Sequence, residues 1–221
     1  MKRFSIVLSL FALAIGTSVS AQKIDLGVGG VFALPMGDFA DATEMGYGGN
    51  LSVSYYIMPN ISAGIEVGGI FFQEKSAGGA SNLFTSFPIQ AVGKYYFMTE
   101  SFRPYGGLGL GYYLMQNEVR YSDELIAAGL SNQTSDQAGL GISPRLGFDY
   151  SFNKWVAFNF EVNYNLLFNE TKENVTIYVD NPLDPANPIS ADSEITYPAT
   201  PFLGVNLGIK FTLFDDSPEI F

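Results

Sequence analysis

The segment from Trp155 to Phe168 reads WVAFNFEVNYNLLF and alternates between apolar and polar side chains. Large apolar residues occupy the even positions from Val156 to Leu166, and the odd positions from 157 to 165 carry Ala, Asn or Glu. Successive side chains of a β-strand point to opposite faces, so these residues would form a ribbon with one apolar and one polar face. A helix would scatter the same apolar residues around its circumference. The segment therefore predicts a strand.

Seven further segments show the same alternation of apolar with polar or small side chains. They lie near residues 24–28, 50–57, 61–68, 87–97, 107–114, 140–152 and 203–213. Together the segments predict eight strands, an even number, each of roughly 9 to 14 residues, and a tilted transmembrane strand needs about 9–11. No run of about 18 consecutive apolar residues follows the N-terminal region, so the sequence predicts no helical membrane span.

The connections between these segments alternate in length. Residues 58–60, 99–102 and 153–154 form short turns, whereas the other connections span 35–45, 74–82, 117–138 and 169–199. An antiparallel meander with all short turns at one end and all long loops at the other is how outer-membrane barrels are built. Closure also removes the sheet edges, whose backbone groups lipid could not satisfy. The pattern predicts an all-β fold: an eight-stranded antiparallel up-and-down transmembrane β-barrel.

Composition separates this fold from a soluble barrel with the two faces exchanged. Hydrophobic residues make up 47% of the chain and charged residues only 15%, against about 25% charged residues in ordinary soluble domains. The polar faces consist mainly of Gly, Ser and Asn, which suit a narrow lumen, whereas a solvent face is normally rich in Lys and Glu. The 19 Phe and 13 Tyr residues gather near the strand ends, as in the aromatic belts of membrane barrels.

The N-terminus is predicted to be a cleaved signal peptide. Lys2 and Arg3 precede an apolar run, and the small residues of Val19-Ser20-Ala21 fit a cleavage site after Ala21. The predicted organisation is residues 1–21 as signal peptide, 22–214 as the outer-membrane barrel domain and 215–221 as a short tail. Cleavage would remove two of the 11 basic groups and none of the 22 acidic ones, so the net charge changes from −11 to −13. This charge disfavours nucleic acid as a partner.

Seven charged side chains fall on the predicted lumen face. They are Asp25, Glu66, Lys94, Arg145, Asp149, Glu161 and Lys210. Three are basic and four are acidic, and charges in a narrow lumen persist only when they are paired and hydrogen-bonded. We expect a lumen charge network with either a structural or a gating role, and the structural role is the preferred interpretation.

Register arithmetic suggests which of these charges meet. Folding the hairpin about Asn153 puts Arg145 opposite Glu161. Glu66 and Lys94 lie about six residues from their own short turns and so at similar depth. Closure of the barrel is expected to bring Lys210 beside Asp25, with Glu161 on its other flank.

Several kinds of chemistry are excluded or disfavoured by residue content. The chain has no His and no Cys, which excludes Ser-His-Asp and Cys-His nucleophiles, the usual structural zinc sites and disulfides. The glycines of 107–111 repeat with period two and precede no helix, unlike a phosphate-binding loop. The loop carboxylates lack calcium-ligand spacing; they are Asp180, Asp184, Asp192 and Glu194. No catalytic, cofactor or metal site is predicted.

Two motifs resemble a known family. Residues 34–39, LPMGDF, and 103–111, RPYGGLGLG, together with the signal peptide look like the bacterial outer-membrane β-barrel domain family, which is similar to OmpA-, OmpX- and OmpW-type eight-stranded barrels. The last strand resembles the signal that the barrel-assembly machinery reads, carried here by Asn206, Gly208, Phe211, Leu213 and Phe214. The family usually ends on the aromatic residue of this strand, whereas residues 215–221 continue here, so whether assembly uses Phe214 or Phe221 stays open.

The resemblance implies an integral protein of the bacterial outer membrane. Enzymatic barrels of this size resemble one another in relying on His, so a non-enzymatic structural or surface-interaction role is expected, with 14 acidic and 3 basic residues in the four long loops. The alternative is a narrow channel or transporter for small hydrophobic solutes, favoured by an apolar external mouth and a lateral gap. Expected partners are outer-membrane lipids and, during insertion, the barrel-assembly machinery; the protein is expected to be a monomer without cofactors.

Overall fold

The computed structural model describes residues 23–74, 80–121, 126, 133–168, 171–179, 189–197 and 200–214. The predicted signal peptide and the tail at 215–221 lie outside these residues, as do Asp180 and Asp184. Both predictions about domain organisation therefore remain predictions.

Eight long strands close into one antiparallel barrel, and a separate two-stranded hairpin follows the seventh strand. The elements in chain order are β1 Ile24–Pro35, α1 Phe39–Ala42, β2 Thr43–Met58, β3 Ile61–Glu74, β4 Ala80–Tyr96, β5 Phe102–Tyr121, β6 Gln133–Ser151, β7 Val156–Phe168, β8 Thr171–Val179, β9 Ile189–Tyr197 and β10 Phe202–Phe214. The barrel order is β1-β10-β7-β6-β5-β4-β3-β2, and β1 pairs with β10 to close it. The predicted eight-stranded antiparallel up-and-down barrel is confirmed.

Strands extend further at one end than the sequence pattern indicated. β5 and β6 have 20 and 19 residues, and their ladder reaches the pair Val119↔Gln133, inside the predicted loop 117–138. The β8–β9 hairpin likewise lies within the predicted loop 169–199. Strand pairing beyond a bilayer needs no apolar face, so the alternation that revealed the spans is weak in these extensions.

The two ends of the barrel differ as predicted. Short turns at 59–60, 97–101 and 152–155 gather at what we call the short-turn end. In the third turn, Asn153 Oδ1 accepts backbone N–H bonds from Trp155 (2.8 Å) and Val156 (3.0 Å), which fixes a tight reversal. The remaining connections lie at the opposite, long-connection end.

The outer surface of the barrel is apolar. Side chains such as Leu110 and Leu146 are 58% and 67% exposed, although they lie in the middle of regular strands. Exposure of an apolar band of this size to water would be unfavourable, and the band matches the lipid-facing girdle of a membrane barrel. Within the described residues, no helix has the length and apolar character to cross a membrane.

Only some of the expected belt aromatics face outward. Tyr55, Tyr95 and Phe71 are exposed, whereas their neighbours Tyr56, Tyr96 and Phe72 are buried inside the barrel. Adjacent residues of a strand point to opposite faces, so one member of each consecutive aromatic pair must enter the lumen. The expectation that the Phe and Tyr residues near the strand ends form lipid-facing belts therefore holds for only one member of each of these pairs.

Candidate functional site in the barrel lumen

The structure places all seven sequence-identified charges inside the barrel. Six of them are buried, and the side chain of Glu66 is 13% exposed. They stand on six of the eight barrel strands and project inward because they share the inward parity of the alternation. The barrel interior is therefore the place where the molecule concentrates its buried charge.

Glu161 forms the centre of this arrangement. Its Oε2 lies 2.6 Å from Lys94 Nζ and its Oε1 lies 3.0 Å from Arg145 Nη1. Arg145 Nη1 is also 3.4 Å from Glu66 Oε2. One carboxylate thus binds a cation from the neighbouring strand β6 and another from β4 across the lumen, so both of its oxygens are compensated.

Tyr105 joins this centre to the rest of the network. Its hydroxyl donates to Glu161 Oε2 at 2.8 Å and accepts from Lys94 Nζ at 3.1 Å and Asn159 Nδ2 at 2.9 Å. These contacts use the one proton and both lone pairs of the hydroxyl. Tyr105 is only 1% exposed, and its ring lies under the Lys94 ammonium at 4.4 Å.

A second ion pair lies closer to the short turns. Lys210 Nζ is 2.8 Å from both oxygens of Asp149. The same carboxylate accepts bonds from Tyr96 OH at 3.0 Å and from Asn159 Nδ2 at 2.8 Å. Because Asn159 also bonds Tyr105, the two ion-pair groups belong to one connected network, which we call the charge network.

The expected pairings were partly wrong. Arg145 lies opposite Asn163 and not opposite Glu161, so the Arg145–Glu161 contact is diagonal. The turn at 152–155 is centred one residue later than Asn153, since the Asn153 side chain caps the two backbone amides that follow.

Barrel closure also differs from the expected register. Lys210 lies opposite Gly27, and Asp25 lies opposite Thr212, whose hydroxyl donates to it at 2.7 Å. Lys210 binds Asp149 and neither Asp25 nor Glu161. On the other wall, Glu66 lies opposite Gln90 and binds Arg145, and it does not pair with Lys94. Long side chains reach across the narrow lumen and bind residues on the opposite wall. Register arithmetic relates only neighbouring strands and therefore does not predict these pairs.

Sequence reasoning missed Arg103, the fourth buried cation. Arg103 is 7% exposed, and its guanidinium lies 4.2 Å from the Tyr96 ring and 4.9 Å from the Tyr56 ring. Its Nη2 donates to the carbonyl of Pro59 at 3.3 Å. The cation–π contacts and the bond to Pro59 close the short-turn end of the lumen. Arg103 occupies an odd-numbered position of β5, as do Tyr105 and the inward-facing glycines of this strand. This position in the alternation was the sequence signal that could have identified Arg103 as a lumen residue.

Amides and hydroxyls continue the network toward the long connections. Gln90 Oε1 accepts from Arg145 Nη2 at 2.8 Å and from Ser143 Oγ at 2.6 Å. Asn163 Oδ1 accepts from Asn165 Nδ2 at 2.6 Å, and Tyr113 OH donates to Asn165 Oδ1 at 2.8 Å. Most buried polar groups of this layer are thereby paired, whereas Ser86 Oγ and Arg145 Nε have no hydrogen-bond partner in the described part of the protein.

Above this layer the lumen is filled by an apolar cluster. Its buried members are Val31, Ala33, Phe39, Ile70, Phe72, Tyr113, Met115, Leu167 and Phe202, with Phe84 packed against them. Phe39 enters from α1, with ring centroids 5.1 Å from Phe72 and 4.9 Å from Phe84. Gly37, at φ +58°, provides the left-handed bend before α1. We call this set the apolar cluster; it closes the long-connection end.

Little space remains inside the barrel. Two cavities of about 20 Å³ each lie in the lumen. The first is bordered by Val31 and Ile70 of the apolar cluster and by Glu66. The second lies beside the charge network and is bordered by Lys94 and Lys210. A volume of this size holds about one water molecule.

The five residues of the expected assembly signal all lie on β10. Asn206 points inward and donates to Glu161 Oε1 at 3.4 Å, and Gly208 lies opposite Gly29 of β1. Phe211 and Leu213 are exposed on the outer face, and Phe214 ends the strand. Their arrangement places an apolar strand face toward lipid.

A closed barrel with an apolar outer face and a polar, charge-filled inner face is an integral membrane barrel. The chain belongs to the outer membrane protein beta-barrel domain family, whose sequence model matches residues 5–211. It is thus a protein of the bacterial outer membrane. In such barrels the short turns generally face the periplasm and the long connections face outside. The search of curated proteins found no matching relative.

Solved structures show the same fold at low identity. The outer membrane protein OprG from Pseudomonas aeruginosa has a TM-score of 0.57 and 18% identity, over 88% of this chain and 96% of that one. A major outer membrane protein from Thermus thermophilus has a TM-score of 0.60 and 13% identity, over 87% and 99%. Ail, the attachment invasion locus protein of Yersinia pestis, has a TM-score of 0.50 and 10% identity, over 89% and 100%.

Proposed function

We propose that this protein is a non-enzymatic integral outer-membrane barrel with a structural or surface-interaction role. The observation that carries the proposal is the filled lumen. The charge network and the apolar cluster occupy the interior in series, and two cavities among these side chains hold about one water each. An eight-stranded barrel is just wide enough for side chains to fill, whereas general porins need 16 or more strands.

The non-enzymatic part of the proposal depends on where the reactive groups lie. The chain has neither His nor Cys, and the buried carboxylates Asp149 and Glu161 are already bound to cations. Within the described residues, no group of three or more acidic side chains is placed to hold a metal ion. The apolar cluster also separates these carboxylates from the external side, where a substrate would arrive.

The surface role is supported by the charge of the external connections. Fourteen acidic and three basic residues lie in the four long loops identified in the sequence. A field of this sign attracts cations and basic protein surfaces and repels anionic ones. We therefore expect basic or cation-bridged partners at this surface.

Conductance of the purified protein in planar bilayers tests the closed lumen. The wild type is expected to show no conductance. Lys210→Ala leaves Asp149 without its cation and serves as the control, because it shows whether the assay detects an opening of the charge network. Steady open-channel current in the wild type at physiological salt would overturn the proposal.

A second candidate function is passage of small hydrophobic solutes. It is favoured by the apolar cluster at the external end and by two interruptions of the barrel ladders. The β3–β4 ladder stops at Val67↔Ile89 and resumes at Ile70↔Ser86, around Pro88, and the β6–β7 ladder is interrupted at Pro144. Proline has no N–H for a ladder bond, so the wall has fewer backbone hydrogen bonds at these two points.

Release of a fluorescent hydrophobic solute from liposomes tests this second function. Phe39→Ala removes the side chain that α1 contributes to the apolar cluster and is expected to speed release if solutes pass there. Release equal to that from protein-free liposomes, for both wild type and Phe39→Ala, would contradict transport.

Partners during biogenesis follow from β10. We propose that a monomeric barrel is inserted among outer-membrane lipids by the barrel-assembly machinery, which reads Phe211, Leu213 and Phe214. Comparison of Phe214→Ala with Phe221→Ala tests which aromatic residue is used. Loss of the heat-modifiable folded form in the Phe214 variant is expected; the same loss in the Phe221 variant alone would assign the signal to the tail.

A further inference from the structure

Two lysines from distant strands border the cavity beside the charge network. Lys94 stands on β4 and Lys210 on β10, and the cavity has a volume of about 20 Å³. The other polar side chains that border it are Asn50, Ser52, Glu66, Asn159 and Asn206. Every one of these polar side chains except Glu66 carries an N–H or O–H donor. We call this donor-rich space the lysine cavity.

The two ammonium groups have donors that the described residues do not use. Lys94 Nζ donates to Glu161 Oε2 at 2.6 Å and to Tyr105 OH at 3.1 Å. Lys210 Nζ donates to the two oxygens of Asp149, both at 2.8 Å. An ammonium has three N–H donors, so each lysine keeps one N–H without an acceptor in the described part of the chain. Both residues are buried, and bulk water does not reach these donors.

The same two ammonium groups lie against one aromatic ring. Lys94 Nζ is 4.4 Å and Lys210 Nζ is 5.5 Å from the centre of the Tyr105 ring. Like charges that approach each other inside a protein repel strongly, because the local dielectric is low. A negative charge in the cavity that both lysines border would reduce this repulsion.

The described lumen residues also hold one positive charge more than their carboxylates compensate. The four buried cations are Lys94, Arg103, Arg145 and Lys210, and the carboxylates among them are Glu66, Asp149 and Glu161. The fourth lumen carboxylate, Asp25, lies 3.9 Å from a further cation, Lys23. Buried charges persist when they are compensated, so the excess favours an anion over a neutral water molecule.

We propose that the lysine cavity binds a single chloride ion. Chloride is only slightly larger than the one water molecule that this volume holds, and it accepts hydrogen bonds from several donors at once. Sulfate and phosphate are too large for this space. Glu66 is the one carboxylate at the cavity, and its repulsion of the ion is reduced by Arg145 Nη1, 3.4 Å from Glu66 Oε2.

The bound ion would connect β4 with β10 across the lumen. The apolar cluster closes one end of the lumen, and Arg103 with the rings of Tyr56 and Tyr96 closes the other. The ion is therefore enclosed as the barrel folds, and the stability of the folded barrel depends on chloride. The chloride site adds to the proposed closed lumen and does not depend on it.

Unfolding at different chloride concentrations tests the proposal. The full-length protein is refolded into vesicles at constant ionic strength, with gluconate, which is too large for the cavity, in place of chloride. Urea is the denaturant because guanidinium chloride would supply the ion. One ion bound only by the folded state lowers the unfolding equilibrium constant about tenfold for each tenfold rise in chloride above its dissociation constant. Equal unfolding constants in chloride and gluconate would overturn the proposal.

Two serines of β2 provide a matched pair of variants. Ser52 and Ser54 both point into the lumen, opposite Gly27 and Asp25 of β1, but only Ser52 borders the lysine cavity and Ser54 borders neither cavity described above. Ser52→Leu fills the cavity and is expected to abolish the chloride dependence, whereas Ser54→Leu is expected to retain it. Retention in Ser52→Leu, or loss in both variants, would overturn the assignment to this cavity.

Bromide provides a direct measurement on the wild type, which does not depend on whether a variant folds. Crystals of protein refolded in bromide are expected to show one anomalous-scattering peak in the lysine cavity, within hydrogen-bond distance of Lys94 Nζ and Lys210 Nζ. Density without anomalous signal at that position would identify a water molecule and overturn the proposal. An anomalous peak only on the protein surface would do the same.

Discussion

The charge network and the apolar cluster fill two halves of one lumen by different physical means. In the half near the short turns, Glu161 and Asp149 are surrounded by cations and hydroxyls in directional contacts of 2.6–3.0 Å. In the other half, Phe39, Phe72 and Phe202 pack edge to face with ring centroids 5.1–5.6 Å apart. One barrel frame therefore accommodates both a polar and an apolar filling, and in the polar half the ionised groups are bound to partners of opposite charge.

The two halves also depend on each other. The apolar cluster keeps water on the external side away from the ion pairs, and charge interactions strengthen as the local dielectric falls. At the opposite end, Arg103 and the stacked rings of Tyr56 and Tyr96 close the network. Substitutions in each half, each compared with a substitution of an outward-facing neighbour, measure how much that half contributes to the free energy of unfolding.

The largest effect is expected for Arg145→Ala in the charge network. It leaves the Glu161 charge with Lys94 as its remaining cation and leaves Glu66 without the cation it binds, and removal of one partner of a buried pair costs about 3–5 kcal/mol. Denaturant unfolding in lipid vesicles, followed through the single tryptophan, Trp155, measures the loss. The control is Leu146→Ala, one residue along β6 but facing lipid. An Arg145→Ala free energy of unfolding equal to that of the wild type would eliminate the paired-network interpretation.

Phe72→Ala tests the apolar cluster and is expected to rank next. The side chain is 1% exposed and contacts Phe39, Phe84 and Phe202, so its removal leaves a cavity costing about 3 kcal/mol. Phe71→Ala, on the lipid-facing side of the same strand, is expected to cost less. The same unfolding assay compares them. A larger loss for Phe71→Ala would mean that the lipid contact, and not the lumen packing, stabilises this end.

Tyr105→Phe removes one hydroxyl from the centre of the charge network. The loss of a satisfied group with three partners is expected to cost about 1–2 kcal/mol. Tyr112→Phe, an outward-facing tyrosine on the same strand, is the matched control. If both variants unfold at the same denaturant concentration, Tyr105 fills space without joining the two ion-pair groups.

The smallest effect is expected outside both halves, at the exposed pair Gln116–Asp136. Gln116→Ala removes a 3.0 Å contact between exposed side chains, and such changes lie within about 0.5 kcal/mol. Unfolding of this variant alongside Tyr105→Phe measures the contrast between exposed and buried contacts. A loss as large as that of Tyr105→Phe would show that the external strands contribute to the cooperative unit.

The spans and the inward residues were predictable because a membrane barrel repeats one rule along every strand. Lipid requires an apolar outer face, so parity in β7 or β10 assigns each side chain to the outside or the lumen. The same rule would have found Arg103, which shares the parity of Tyr105. Application of the rule to one residue at a time would also have placed Tyr56 and Tyr96 inside.

Partners across the lumen were not predictable in the same way. Arg145 was expected to face Glu161 and reaches it diagonally, while Lys210 binds Asp149 on β6, two strands away from its own strand β10. The β6–β7 register is also shifted by one step from the expected one, since Arg145 lies opposite Asn163. The apolar cluster depends on α1, whose Phe39 carried no periodic signal.

Eight membrane-crossing strands, and the face of each strand that points into the lumen, can be read from the sequence because those properties depend on local alternation and on the lipid that the outer face meets. Which charges pair, where the aromatic residues close the lumen and how far the external strands extend become apparent only in the folded barrel. Those outcomes depend on the combined register of all eight strands and on the reach of long side chains across a narrow interior, which no single strand encodes.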